Sequence, residues 1–339
     1  MQRQERIQDP LSINRRFIEG NLNEGKEVIV QFSGETYNDK ILSELNELCL
    51  KYDESFSIRF YGFYGTSFDC KCTTKIPNVK SLYVDCLIKA HNIEAITYLK
   101  YLKKLSIGIY ELTQTEILDA ESFQNLNRLV IGNTKSKALN LEYLKKYHNL
   151  SHLIIAGHTK NIEAVGDIKR LNTLNLNSIS KVSLSFVNHL RNLKSLYIAL
   201  GGRESIQEIN ENEIENLGLI WIRGFNDINN IKNFKRLKTL IIEDQIRLPQ
   251  INFEEPLTQL EDIKIINCKT LNSMTGIEKL SRLHQLRIYK TNIDFDSFIK
   301  QPLPSSLKIL AFYTTKTKVD KDIKASLKTM GYTDGLTEN

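Results

Sequence analysis

Leu102–Ile107 reads LKKLSI, with apolar residues at its first, fourth and sixth positions, and that spacing recurs along the chain. It begins as VKSLYV at Val79 and returns as LNRLVI at Leu126, LSHLII at Leu150 and LNTLNL at Leu171. LKSLYI at Leu193, LGLIWI at Leu217 and LKTLII at Leu237 follow, then LEDIKI at Leu260, LHQLRI at Leu283 and LKILAF at Leu307. Eleven units thus recur at intervals of 20–24 residues, and every signature position is Leu, Ile, Val or Phe. With 41% apolar residues overall, chance agreement is on the order of 10⁻¹³ before allowing for choice of register.

Apolar residues one apart belong on one face of a strand. The fourth and sixth positions therefore point inward, and the third, fifth and seventh point outward. Between strands the apolar residues recur every third position, as in Ile162, Val165, Ile168 and Leu171, and again in Ile228, Ile231, Phe234 and Leu237. Leu271, Met274, Ile277 and Leu280 repeat the spacing, which suits a 3₁₀ turn or short helix. The 41% apolar content excludes a disordered chain, and no run of about 18 apolar residues that could span a membrane occurs.

Over about residues 79–312 the sequence resembles the leucine-rich-repeat family, nearest by unit length to its 22-residue, internalin-like class. The resemblance implies an α/β solenoid. It is a horseshoe with a curved parallel β-sheet on the concave face and short helices or 3₁₀ turns on the convex face. One departure is clear. The family carries Asn three residues after the last signature position, and none of the eleven residues here is Asn. Thr134, Cys268, Thr291 and Thr315 could substitute in part, so a less regular array is expected.

Three segments are expected. Residues 1–78 form an N-terminal segment and cap, with a strand at Glu27–Phe32, an amphipathic helix at Asn38–Lys51 and a strand at Phe56–Phe63 that could be a divergent first repeat. Residues 79–315 form the array of about eleven units. Residues 316–339 form a C-terminal capping helix and tail, with Val319, Ile323, Leu327 and Met330 on one face. Residues 1–20 show no strong pattern.

No chemistry is evident. No Gly-rich phosphate loop, HExxH or GxSxG motif occurs. Cys70 and Cys72 have one residue between them and lack a second pair at zinc spacing. An odd count of five cysteines and no secretory signal point to reduced thiols and a cytoplasmic location. No catalytic residue, metal or cofactor is expected. Net charge is +6, and Lys/Arg clusters such as Lys103–Lys104, Lys145–Lys146 and Lys235–Arg236–Lys238 recur along one flank. They leave nucleic-acid binding as an alternative.

The family's function lies on the outward strand residues. Tyr197, Leu219, Trp221, Arg223 and Ile241, from three consecutive units, are expected to adjoin there. Trp, Tyr and Arg are the types enriched at binding hot spots. Glu243 and Asp262 give this centre a charged edge, and Lys264, Arg287 and Tyr289 extend it. These ten residues are the candidate partner-binding set. Lys104, Arg128 and His152 lie toward the N-side. The expected function is a non-enzymatic scaffold, monomeric before binding, that recognises a protein and associates with no membrane. A narrower expectation, by analogy, is an inhibitor or immunity protein for a toxin or effector.

Overall fold

The computed structural model describes residues 4–135 and 138–335. They fall into two compact units, Met1–Leu171 and Asn172–Asn339. Within each unit seven strands lie side by side in chain order, in parallel pairings.

The first unit opens with β1 (Gln4–Gln8), α1 (Arg15–Asn23), β2 (Glu27–Phe32), α2 (Asp39–Lys51) and β3 (Phe56–Gly62). Asn38 starts α2 by accepting the Ile41 amide. That bond satisfies one of the donors a helix start leaves unpaired. The helix buries Ile41, Leu42, Leu45 and Leu48. In β2 five consecutive residues, Val28–Phe32, are buried. Phe32 stacks on Phe60 at 5.6 Å between ring centroids, and Phe60 on Phe68 at 4.9 Å. Aromatics thus fill the core that Leu and Ile fill further along. β4 (Ser81–Leu87), β5 (Lys104–Ile109), β6 (Arg128–Ile131) and β7 (His152–Ala156) complete this unit. Residues 4–20, which carry no clear pattern, form β1 and the start of α1. β1 is a polar edge strand, QERIQ, with no fully buried residue, so it leaves no hydrophobic signature to read.

The second unit holds β8 (Thr173–Asn177), β9 (Ser195–Ala199), β10 (Asn216–Ile220) and β11 (Thr239–Glu243). β12 (Asp262–Ile266), β13 (Gln285–Tyr289) and β14 (Ile309–Tyr313) follow. Leu174, Leu196, Leu217, Leu240, Ile263, Leu286 and Leu310 form one inward row, each at most 1% exposed. Each such side chain stabilises the fold by about 1.5–3 kcal/mol relative to exposure. The connecting segments include 3₁₀ turns at Ser185–His189, Asn229–Asn233 and Ile277–Lys279. Spacing by threes had indicated such turns.

One device repeats after the strands of this unit. Ser178, Leu200, Trp221, Asp244, Asn267 and Lys290 all have positive φ, between 48° and 62°. Each amide donates to the carbonyl of the residue ending the next strand, as in Leu200 N to Ile220 O at 2.9 Å and Trp221 N to Glu243 O at 2.8 Å. The chain therefore leaves each strand through a left-handed turn that is bonded to its neighbour. After β14, α3 (Thr317–Thr329) buries Ile323 and Leu327. The Asp320 carboxylate accepts from the Thr314 and Thr315 amides. Thr333 then bridges to Ile309, covering part of the last strand's edge.

Candidate partner-binding surface

The outward side chains of the second unit fall into rows fixed by strand register. One row runs Asn175, Tyr197, Gly218, Ile241, Lys264, Arg287 and Ala311. A parallel row runs Asn177, Ala199, Ile220, Glu243, Ile266, Tyr289 and Tyr313. Tyr197 lies down over Gly218. A Cβ on Gly218 would sit 2.3 Å from Tyr197 Cδ1, so glycine makes room for the ring. Tyr197 and Ile241 flank Gly218 on either side and are both half-buried.

Sequence register and structure part at β10. Leu219 was expected outward, but it is 0% exposed. It pairs with Ile242 and Leu217 with Leu240, so Leu217 and Leu219 are the inward pair. The signature of this unit is Ile214, Leu217 and Leu219, three residues earlier than LGLIWI suggests. In that stretch Leu217, Leu219, Ile220, Trp221 and Ile222 are all apolar, so two registers satisfy the pattern equally. The earlier register gives neighbouring intervals nearer the common value. Together with Gly218, that evenness was the signal to read.

Trp221 and Arg223 consequently leave the sheet face and stand in the turn beyond β10. Trp221 is 62% exposed, and Leu200, its counterpart one unit earlier, is 39% exposed. Arg223 is exposed as well, and its backbone bridges to Gly202. Ile241, Glu243, Asp262, Lys264, Arg287 and Tyr289 lie at outward strand positions, each half-buried. Arg287 Nη2 donates to Asp262 Oδ2 at 2.8 Å. Burial nevertheless pushes the Asp262 carboxyl above its ordinary range, against the opposing pull of Arg287 and Lys264. Leu200 and Ile220 belong to the same surface and were missed, and Asp244 and Ile266 adjoin them. Correct register at β10 reveals Ile220, and the turn positions have no hydrophobic period of their own.

The first unit's outward face is knit to itself. Arg59 Nε donates to Asp85 at 2.7 Å, and the Arg59 guanidinium lies 4.4 Å from the Tyr61 ring centre. Ser57 donates to Ser81, and Lys104 pairs with Glu27 at 3.3 Å. Burial, then the charges of Arg128 and Lys104, lower the His152 pKa.

The flank cations are likewise engaged. Lys103 pairs with Asp53 at 2.9 Å, Lys146 with Asp119 at 2.6 Å and Lys145 with Glu142 at 2.7 Å. Lys194 and Lys238 share Glu215 at 3.3 and 2.8 Å, and Lys235 reaches Glu255 at 2.5 Å. Among the described residues no group of three or more His, Cys, Asp or Glu could hold a metal ion. Burial pushes the Cys72 thiol up to about 12, far from a reactive thiolate. No described helix is long and apolar enough to cross a membrane.

At three of the positions left without asparagine a buried polar group stands in, while Leu87, Ile179 and Phe225 are buried apolar residues there. His158 Nδ1 accepts from the Leu139 amide at 3.0 Å, and its Nε2 lies 2.9 Å from Gly132 O. Gln245 Nε2 donates to Glu243 O at 2.9 Å, and Cys268 Sγ lies 3.4 Å from Ile266 O. Each is buried and satisfies backbone where the strand turns away. One parallel strand per unit and 3₁₀ connections define the repeat. The fold is that of a leucine-rich-repeat solenoid.

No family model and no curated protein matches it. Among solved structures, this chain is similar to an internalin of Listeria monocytogenes at 18% identity. That match covers 74% of this chain and 80% of the other, with a TM-score of 0.41. A leucine-rich-repeat protein of Leptospira interrogans is 16% identical, covering 94% and 92% with a TM-score of 0.46. A second Listeria internalin, C2, is 16% identical over 74% and 92%, with a TM-score of 0.35.

Proposed function

We propose that this protein is a non-enzymatic scaffold that binds another protein through the outward face and adjoining turns of its second unit. The observation that carries the reading is the set of apolar side chains left open on the second unit's outward face. Ile220, Ile241 and Ile266 stay half-open, and Leu200 and Trp221 project from the turns. Lys264 and Tyr289 stand beside them, and neither side chain makes an ion pair or hydrogen bond among the described residues. An apolar centre with a charged rim is the usual anatomy of a protein interface. Inhibition of a toxin or effector enzyme is one use of such a face, and it would draw on the same residues.

Affinity capture with the full chain, followed by mass spectrometry, supplies the partner. Ile241→Asp with Lys264→Glu should then weaken that partner at least about 30-fold, the scale of a hot-spot loss of about 2 kcal/mol. Capture unchanged in that double variant would refute the proposed face. Nucleic-acid binding is disfavoured, because the flank cations already face carboxylates.

A further inference from the structure

We propose that the turns beyond β10 and β11 receive a basic side chain, Lys or Arg, from the protein partner, seated on the Trp221 ring and paired with Glu243 and Asp244. This rests on the protein-binding reading and adds the chemistry of the anchor.

Trp221 and Asp244 hold equivalent places in consecutive turns. Both have left-handed backbone, at φ 48° and 56°, and the Trp221 amide bonds to Glu243 O at 2.8 Å. Equal backbone conformation on neighbouring strands, about 4.8 Å apart, sets their side chains off in the same direction. Glu243 and Asp244 therefore occupy the neighbouring positions alongside Trp221 on the next strand and turn. Neither makes an ion pair among the described residues, whereas Glu213, Glu215, Glu254 and Glu255 of the same unit all do. Arg223 and Arg247, two and three residues past the turn positions, pair with neither. Asn267 donates to Asp244 Oδ1, which fixes that carboxylate and leaves Oδ2 for a ligand.

The backbone gives a second reason. A bulky non-glycine residue in the left-handed region is strained. Asn or Gly would relieve it, yet Trp221 and Leu200 both occupy such positions, and both are exposed. A cation is attracted to the negative face of an indole ring, and adjoining carboxylates add to that. An acidic or purely apolar anchor would leave Glu243 and Asp244 unpaired or desolvated.

The test is selection of a phage-displayed random dodecapeptide library on the immobilised full chain, with the Trp221→Ala variant as counter-selection. The recovered peptides should carry Lys or Arg beside an apolar residue. Their affinity, read by anisotropy of labelled peptide, should fall at least tenfold in Glu243→Gln with Asp244→Asn. Trp221 is the only tryptophan, so its emission should also change on binding. Peptides without basic residues, affinity unmoved by the double variant, or no Trp221-dependent peptide would each overturn the proposal. Peptides that depend on Ile241 and Lys264 but not on Trp221 would overturn it while leaving the sheet-face reading intact.

Discussion

His158 stands where this repeat family carries asparagine, and its ring does the same work. Accepting at Nδ1 from the Leu139 amide places its proton on Nε2, facing Gly132 O. A second proton would point at an N–H donor, and burial lowers the pKa below 6.5. The sign follows. A base with a depressed folded pKa favours the native state fully above its unfolded value, and the benefit is lost as pH falls below about 6.5. The loss is at most about 1.4 kcal/mol per pH unit for one group. Urea unfolding between about pH 8 and pH 5.5 should show this decline. His158→Asn should flatten His158's share and leave that of His152. An unchanged profile in the variant would refute the assignment. Gly218 offers a second test at this scale. Gly218→Ala meets the Tyr197 ring and should cost about 1–3 kcal/mol, as overpacking does. In a Tyr197→Ala background the same change should cost almost nothing. Equal costs in both backgrounds would show that the ring is not the obstacle.

The left-handed turn after each strand is the element that sets stability against recognition. At Trp221 the strain of a left-handed bulky residue is worth about 1–2 kcal/mol, which glycine relieves while giving back part in chain entropy. Trp221→Gly should therefore leave the melting temperature unchanged or raise it, while abolishing partner capture. A variant that both melts early and still binds would contradict this account. Such turns also mark the limit of what could be read in advance. Elements with a strong apolar period, β4 to β9 and β11 to β14, stand where the signature places them. α2 was legible from Ile41, Leu42, Leu45 and Leu48. β1 and α1 were not, because QERIQ has no buried row and α1 buries only Ile18, Asn21 and Leu22. The slip at β10 arose because solvent-side Ile220 and Trp221 are as apolar as the core residues beside them. An interaction surface is where hydrophobic pattern stops reporting burial, so the candidate site and the misread register coincide.

Across the chain, 46 basic and 40 acidic side chains leave a net charge of +6, and position matters more than that sum. On the flanks, cations of one turn meet acids of another, as at Lys103–Asp53 in the first unit and Lys238–Glu215 in the second. Each exposed pair contributes only about 0–1 kcal/mol, so these pairs are a minor source of stability. Their larger effect is on the choice of ligand. A phosphate approaching the flank must displace a carboxylate already in place or accept repulsion from it. A protein that makes 6–10 phosphate contacts loses about 10³–10⁵ in affinity between 50 and 200 mM salt. This chain should instead show no mobility shift of single- or double-stranded DNA or RNA at either salt concentration, at micromolar protein. Charge reversal of the acids, Glu213→Lys with Glu215→Lys, should create a salt-sensitive shift by freeing Lys194, Arg236 and Lys238. A steeply salt-dependent shift in the unmodified protein would instead show that the flank cations are available despite their pairing, and would restore nucleic acid as the ligand.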